Sequence, residues 1–140
     1  MQWQTTLPSL VRTMITVDPK LTYIVPVVDA MVPGIKPSIA AAEAADRIKI
    51  ISANASLPDM QAIATKADPE VANVGSSNER MGWAAVDQVV RILSKQPPVV
   101  ESQPVRLFST ANIGSIDLKK PAGEWYGFDY KAFYRKVWGR

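Results

Sequence analysis

The stretch Leu21-Thr-Tyr-Ile-Val-Pro-Val-Val-Asp29-Ala-Met31 decides how this chain is read. A short apolar run rich in β-branched residues ends at an acidic residue, and a small-residue helical pattern follows. The design returns at Ile48-Lys-Ile-Ile-Ser-Ala-Asn54 and again at Val71-Ala-Asn-Val-Gly-Ser-Ser77. Each run has the length of a strand and closes on polar residues just before a helical pattern begins. Such alternation predicts an α/β fold built on a parallel sheet. In sheets of that kind ligands bind beyond the carboxyl ends of the strands. Asp29, Asn54 and Ser76, at three strand ends, therefore mark a candidate site for a small polar molecule.

Working outward, residues 6–17 predict a helix with Pro8 in its first turn and an apolar stripe of Leu7, Leu10, Val11 and Met14. Asp18-Pro19 ends it, because the residue before a proline avoids helical geometry. The strand predicted over 21–27 contains Pro26, which suits an edge position or a last residue. A helix is predicted over 30–45, with Asp29 as its N-cap. Pro33 and Pro37 should confine its regular part to the second half, Ser38-Ile-Ala-Ala-Ala-Glu-Ala-Ala. Strand 48–53 follows, then a helix from about Ser56 to Lys66 with Pro58 in its first turn, then strand 71–75. The longest helix is predicted over 77–95. Met81, Gly82, Ala85, Val86, Val89, Val90, Ile92 and Leu93 form its apolar face, and Arg80, Asp87, Arg91 and Lys95 its polar one. A last strand is expected at 105–108. Residues 1–113 thus form the strand–helix body. Residues 114–140 form a tail without that alternation, ending in a short aromatic helix near 128–139.

Composition narrows the function. A chain of 140 residues, 47% apolar and 21% charged, is a globular domain able to bury a core. It has no cysteine and no histidine. That excludes disulfides, thiolate chemistry and the Ser-His-Asp and Cys-His mechanisms, and it removes the commonest metal ligands. Binding rather than catalysis is expected, with no metal and no cofactor. The net charge is +3, and the basic cluster Lys131, Arg135, Lys136 and Arg140 reads as a solvated helix face. No groove-reading motif accompanies it, so no nucleic-acid partner is expected. No run of 18 apolar residues exists, so membrane insertion is not expected. Met1-Gln-Trp-Gln-Thr-Thr has neither the basic nor the apolar region of a signal peptide.

Neither GxGxxG nor GxxxxGK[ST] occurs, which argues against phosphate-loop nucleotide binding. Asp29 can accept hydrogen bonds from ligand hydroxyls, or serve only as a helix cap. The Asn54 amide both donates and accepts, which suits a polyol, but Asn is also a turn former. Ser76 and Ser77 can touch ligand or cap the long helix, and capping is the better reading for Ser77. Trp83 reads better as packing than as a sugar-stacking platform. The same holds for Trp125, Tyr126, Phe128, Tyr130, Phe133, Tyr134 and Trp138.

These stretches together resemble a known family, the type I periplasmic (solute-binding) proteins of sugar ABC importers, in the ribose-binding-like group. Ile24-Val-Pro-Val-Val-Asp-Ala-Met-Val-Pro-Gly34 is similar to the family's strand ending in Asn-Asp. Ile50-Ile-Ser-Ala-Asn54 is similar to its strand ending in Gly-Phe-Asp. Ala72-Asn-Val-Gly-Ser-Ser-Asn-Glu-Arg-Met-Gly-Trp-Ala-Ala-Val-Asp-Gln88 is similar to the segment where a Gln contacts sugar. The resemblance covers roughly residues 5–113 and implies a three-layer α-β-α, Rossmann-like lobe, the C-terminal one of two. It places the sugar-contacting positions on Val28, Asn54 and Ser76, with Asp29 kept beside the first. Val28 stands for an Asn, Asn54 for an Asp and Ser76 for a Gln, so the implied pocket is less charged, and the solute is a sugar or another small polar molecule.

The resemblance further implies a full-length periplasmic or extracytoplasmic protein that delivers solute to an ABC permease. Helix 77–95 would pack on a first lobe that this sequence lacks. A second copy of the chain is expected to cover it here, giving a homo-oligomer. The alternative function is the effector-binding domain of a lac-repressor-type regulator, which shares this lobe.

Overall fold

The structure, a computed structural model, describes residues 3–139. The chain divides into two units, Met1–Gly75 with Leu107–Ser115 and Ser76–Arg106 with Ile116–Arg140. Arg140, the last member of the basic cluster, lies outside the described residues.

The first unit opens with α1, Trp3–Val17. The helix starts earlier than the sequence suggested, and its buried stripe is Leu7, Val11 and Ile15, whereas Leu10 and Met14 are exposed. Packing against α2 makes that selection. Leu7 lies 3.3 Å from where a Cβ on Gly34 would stand, and Ser38 Oγ donates to the Pro8 carbonyl at 3.1 Å.

Strand β1 is only Tyr23–Ile24, paired in parallel with Lys49–Ile50, rather than the whole of 21–27. Pro26 offers no ladder donor, and Val25 and Val27 stand exposed beyond the last pair. A 3-10 turn at Asp29–Met31 leads into α2, Val32–Ala41. The cap of that turn is Val28, not Asp29. The regular helix takes in the first half of the predicted span and stops midway through the second, at Ala41. Pro33 is harmless there because it sits in the first turn. After Ala41 the backbone leaves the helix through Glu43 at φ 51°, with the Ala44 amide donating to the Ile39 carbonyl.

Strand β2 (Lys49–Ala53), helix α3 (Leu57–Thr65) and strand β3 (Glu70–Ser76) come next, and β4 (Val105–Ser109) lies beside β3, in the order β1-β2-β3-β4. β1, β2 and β3 run parallel, and helices flank the sheet. The main core joins Leu7, Val11 and Ile15 to Ile24, Val32, Ile35, Ile39, Ile48 and Ile50. Each such side chain contributes about 1.5–3 kcal/mol by leaving water.

Within this core the register of β2 against β3 slips at Ile50/Ile51: Ile50 pairs with Glu70 and Ile51 with Ala72. In an unbroken strand, residues 70 and 73 would face opposite sides. The bulge lets both reach one group. Ser52 Oγ donates to Glu70 Oε1 at 2.5 Å and accepts from Asn73 Nδ2 at 2.6 Å. Lys36 Nζ lies 2.8 Å from Asp68 Oδ1 and 3.3 Å from Glu70 Oε2, the second contact without hydrogen-bond geometry. Burial pushes the Glu70 carboxyl from 4.5 up to about 7, and the neighbouring Asp59 adds to the rise against the pull of Ser52 and Lys36.

In the second unit Ser77 caps α4, Asn78–Leu93, its hydroxyl accepting from the Arg80 amide at 3.2 Å. A 3-10 turn (Ala122–Tyr126) and α5 (Tyr130–Val137, capped by Asp129) pack on it. The amphipathic reading of α4 is inverted here. Arg80, Ala84 and Asp87 are its buried residues, and its valines and leucine are exposed. The aromatic tail provides the reason. Trp83 stacks on Trp138 with centroids 5.4 Å apart and meets Tyr130 edge-on at 5.9 Å. Trp138 Nε1 donates to Asp87 Oδ1 at 2.8 Å, and Arg91 Nε to Oδ2 at 2.6 Å. Burial alone would raise the Asp87 carboxyl, but these bonds and the Arg91 charge hold it below its usual value. Arg80 reaches Gln103 Oε1 at 2.8 Å and Glu101 Oε2 at 3.2 Å, and Tyr134 donates to that same Glu101 oxygen at 2.5 Å.

Two outcomes follow. Glu70 holds its proton more tightly in the folded chain, so its contribution is fully present below about pH 4.5. It declines towards pH 7 by roughly 1–3 kcal/mol. Urea denaturation across this window should show that decline in the parent chain and its absence in Glu70→Gln. Trp138→Phe keeps a ring on Trp83 but leaves one Asp87 oxygen without its donor. It should lower stability by about 1–3 kcal/mol, read as an earlier denaturation midpoint.

Candidate functional site

Three consecutive backbone amides form the turn at the carboxyl end of β2, and each is pinned from a different direction. The Asn54 amide donates to the Val74 carbonyl at 3.0 Å, continuing the parallel ladder. The Ala55 amide donates to Asn73 Oδ1 at 2.8 Å. The Ser56 amide donates to Asp29 Oδ2 at 2.9 Å. So fixed, Asn54 and Ala55 both adopt left-handed backbone, with φ of 98° and 56°. An Asn tolerates that region through its short polar side chain. Ala55 is held there only because Asn73 and Asp29 grip the amides on and after it.

Asp29 is buried. Its carboxylate spans from the end of the β1 segment to the residue that caps α3, and so acts as a brace between two strand ends. It caps not its own helix but the next one. In an ordinary capping box the acidic residue at the third helical position would take the N-cap amide. Here Asp29 takes that amide, and Asp59 accepts instead from the Ser56 hydroxyl. A groove of about 460 Å³ opens beside this brace, lined by Asp29, Lys36, Ser56, Pro58 and Asp59 together with residues of the α2 start. Its walls carry carboxylate acceptors, an ammonium donor and proline rings, a mixture suited to a small hydroxylated molecule.

Of the four positions marked from sequence, Asp29 and Asn54 are brought to one turn, two residues and one hydrogen bond apart. Asn54 is exposed, and its side chain stands at the carboxyl end of β2. Val28 is half-buried in extended backbone immediately before the 3-10 turn. Ser76 is the half-buried last residue of β3 and opens the second unit. Sequence reasoning missed Asn73 and Ser56. The signal for Asn73 was present: an Asn inside an otherwise apolar strand run is disfavoured there unless something needs it. The residues here include no group of three or more His, Cys, Asp or Glu able to hold a metal, among the described residues.

No protein-family model matches the chain, and no curated protein sequence matches it. Solved structures do. An ABC transporter solute-binding protein from Agrobacterium vitis with bound allitol is 20% identical with a TM-score of 0.71, covering 82% of this chain and 41% of that one. A myo-inositol-binding protein of Caulobacter is 19% identical with a TM-score of 0.69, covering 80% and 38%. A 5-methylthioribose transporter solute-binding protein from Thermotoga lettingae is 16% identical with a TM-score of 0.69, covering 95% and 45%. The chain therefore spans less than half the length of each of these proteins. Its architecture, a mostly parallel four-stranded sheet flanked by helices, is the fold of one lobe of a sugar-type, type I periplasmic solute-binding protein.

Proposed function

We propose that the chain supplies one lobe, the C-terminal one, of the solute-binding component of an ABC importer for a sugar, a polyol or a similar small polar solute. The pinned turn at Asn54 carries this reading. It presents an exposed amide, able to donate and accept at once, at the carboxyl edge of a parallel sheet, the edge where such folds take ligands. The neighbours named above bind allitol, myo-inositol and 5-methylthioribose, all polyhydroxylated and uncharged, which fits a pocket where Asn54 replaces a carboxylate. Val28, Asn54 and Ser76 would contact the solute, and Asp29 would hold the turn in place. In the full-length protein the site would face the periplasm or its extracytoplasmic equivalent, and the loaded form would dock on a permease. No step of bond making or breaking is required.

One lobe offers about half of the contacts, so titration calorimetry of this chain with allitol, myo-inositol or 5-methylthioribose should show no micromolar binding. Backbone NMR with tens of millimolar polyol should shift amides around Val28, Asn54 and Ser76, and Asn54→Ala should remove those shifts while leaving the spectrum folded. Micromolar affinity of the lone chain would overturn the half-site account. Shifts confined to the 124–135 region would overturn the assignment of the sheet edge.

A further inference from the structure

We propose that Glu70 carries a proton shared with Asp59, and that this carboxyl pair latches the turn at residues 54–56 from both sides, so that the turn loosens when the proton is lost. The inference concerns the turn itself and stands whatever the turn binds.

The two oxygens of the fully buried Glu70 side chain have different surroundings. Oε1 accepts from Ser52 Oγ at 2.5 Å. Among the described residues, Oε2 meets no donor in hydrogen-bond geometry. Lys36 Nζ lies 3.3 Å from it but stands closer, at 2.8 Å, to Asp68 Oδ1, the oxygen that also accepts from the Glu70 amide. The remaining group is the buried Asp59 carboxyl, which acts on Glu70 through a side-chain hydrogen bond and through its charge. Two carboxylates facing one another out of water repel, and an acceptor buried without a donor is costly. One proton on Oε2 removes both penalties. It supplies the missing hydrogen bond, with Asp59 as its acceptor, and leaves one negative charge on the pair instead of two.

That proton closes a ring around the turn. From Oε1 the ring passes through Ser52 to Asn73, whose Nδ2 donates to Ser52 Oγ at 2.6 Å and whose Oδ1 holds the Ala55 amide at 2.8 Å. From Oε2 it passes through the shared proton to Asp59, which accepts from the hydroxyl of Ser56. Ala55 needs such a grip, because its backbone is left-handed at φ 56°. The charged groups around Glu70 are Lys36 from α2, Asp59 from α3 and Asp68 from the connection to β3. With Lys36 engaged by Asp68, loss of the proton sets a second negative charge against Asp59 and drives the Ser56 side of the ring apart. The raised carboxyl of Glu70 places that loss at about pH 7. Asp59 also lines the groove beside the turn, which gives the buried pair its route to water.

NMR of side-chain carboxyl carbons and backbone amides in the parent chain, titrated from about pH 4 to about pH 9, tests the latch without any variant. The Glu70 carbon should titrate at about pH 7, and the Ala55 and Ser56 amide shifts should follow with the same midpoint. Protection of these two amides from hydrogen exchange, corrected for the intrinsic rate, should fall about tenfold across it. Glu70→Gln keeps an acceptor for Ser52 and a donor for Asp59 but has no proton to lose, so the turn should stay protected throughout. Asp59→Asn supplies a donor in place of a charge and should move the Glu70 midpoint to lower pH. On the reading of Asn54 as a solute contact, the polyol-induced shifts fall with the same midpoint. The titration of the turn needs no solute, so the two readings fail separately. A Glu70 carbon that titrates at the ordinary 4.5, or turn amides that stay flat while Glu70 titrates, would overturn the latch. Turn amides that keep their midpoint in Glu70→Gln would overturn it as well, assigning the titration to another group.

Discussion

The buried hydrogen-bond chain from Glu70 through Ser52 and Asn73 to the Ala55 amide is the constraint on which the sheet edge depends. Polar groups inside a core lose several kcal/mol of hydration unless each finds a partner. Ser52 and Asn73 find theirs only with β2 and β3 in one register, bulge included. A slip by one residue would leave Asn73 and the Ala55 amide unsatisfied together. The network therefore fixes register as well as contributing stability, and it delivers the backbone at Asn54 to a fixed place. Asp29 completes the arrangement by tying the neighbouring strand end to Ser56.

The same logic of compensated burial governs the second unit, with the opposite consequence for its surface. Arg80 and Asp87 leave water because Glu101, Gln103, Arg91 and the Trp138 indole meet them, and because a ring of aromatic side chains closes over them. Burying a charge without such partners would cost far more than it returns. Once the polar stripe of α4 is turned inward, helix geometry leaves no choice for the valines: they face out. The exposed apolar seam is thus a consequence of where the tail packs.

A binding role fits the chemistry available. The chain has no cysteine or histidine, and the raised carboxyl of Glu70 is sealed inside the core rather than set at the sheet edge. What stands there is an exposed amide on a rigid turn, beside a groove of acceptors and one ammonium group. Rigid presentation of a few polar groups is how small-molecule sites gain orientation and specificity. Where the resemblance implies a carboxylate, the amide of Asn54 would exchange strong acceptance for the ability to donate as well.

The sequence by itself determined the strand–helix alternation, hence the α/β class, the sheet edge as the candidate site, and the cap at Ser77. These depend on period, turn chemistry and propensity within a few residues. It also placed Asp29 and Asn54 at strand ends, although not the bond by which Asp29 braces the turn. Tertiary structure decided the rest. The shortness of β1 depends on Pro26 having no ladder partner. The pairing of residues 70 and 73 on one serine requires a bulge that leaves no mark in the period of the strand. The inward turn of Arg80 and Asp87 depends on a distant tail, whose Trp138 donates to Asp87 and whose Tyr134 donates to the Glu101 that pairs with Arg80. Hydrophobic periodicity reports which face of a helix is apolar, but which face is buried is settled by what packs on it.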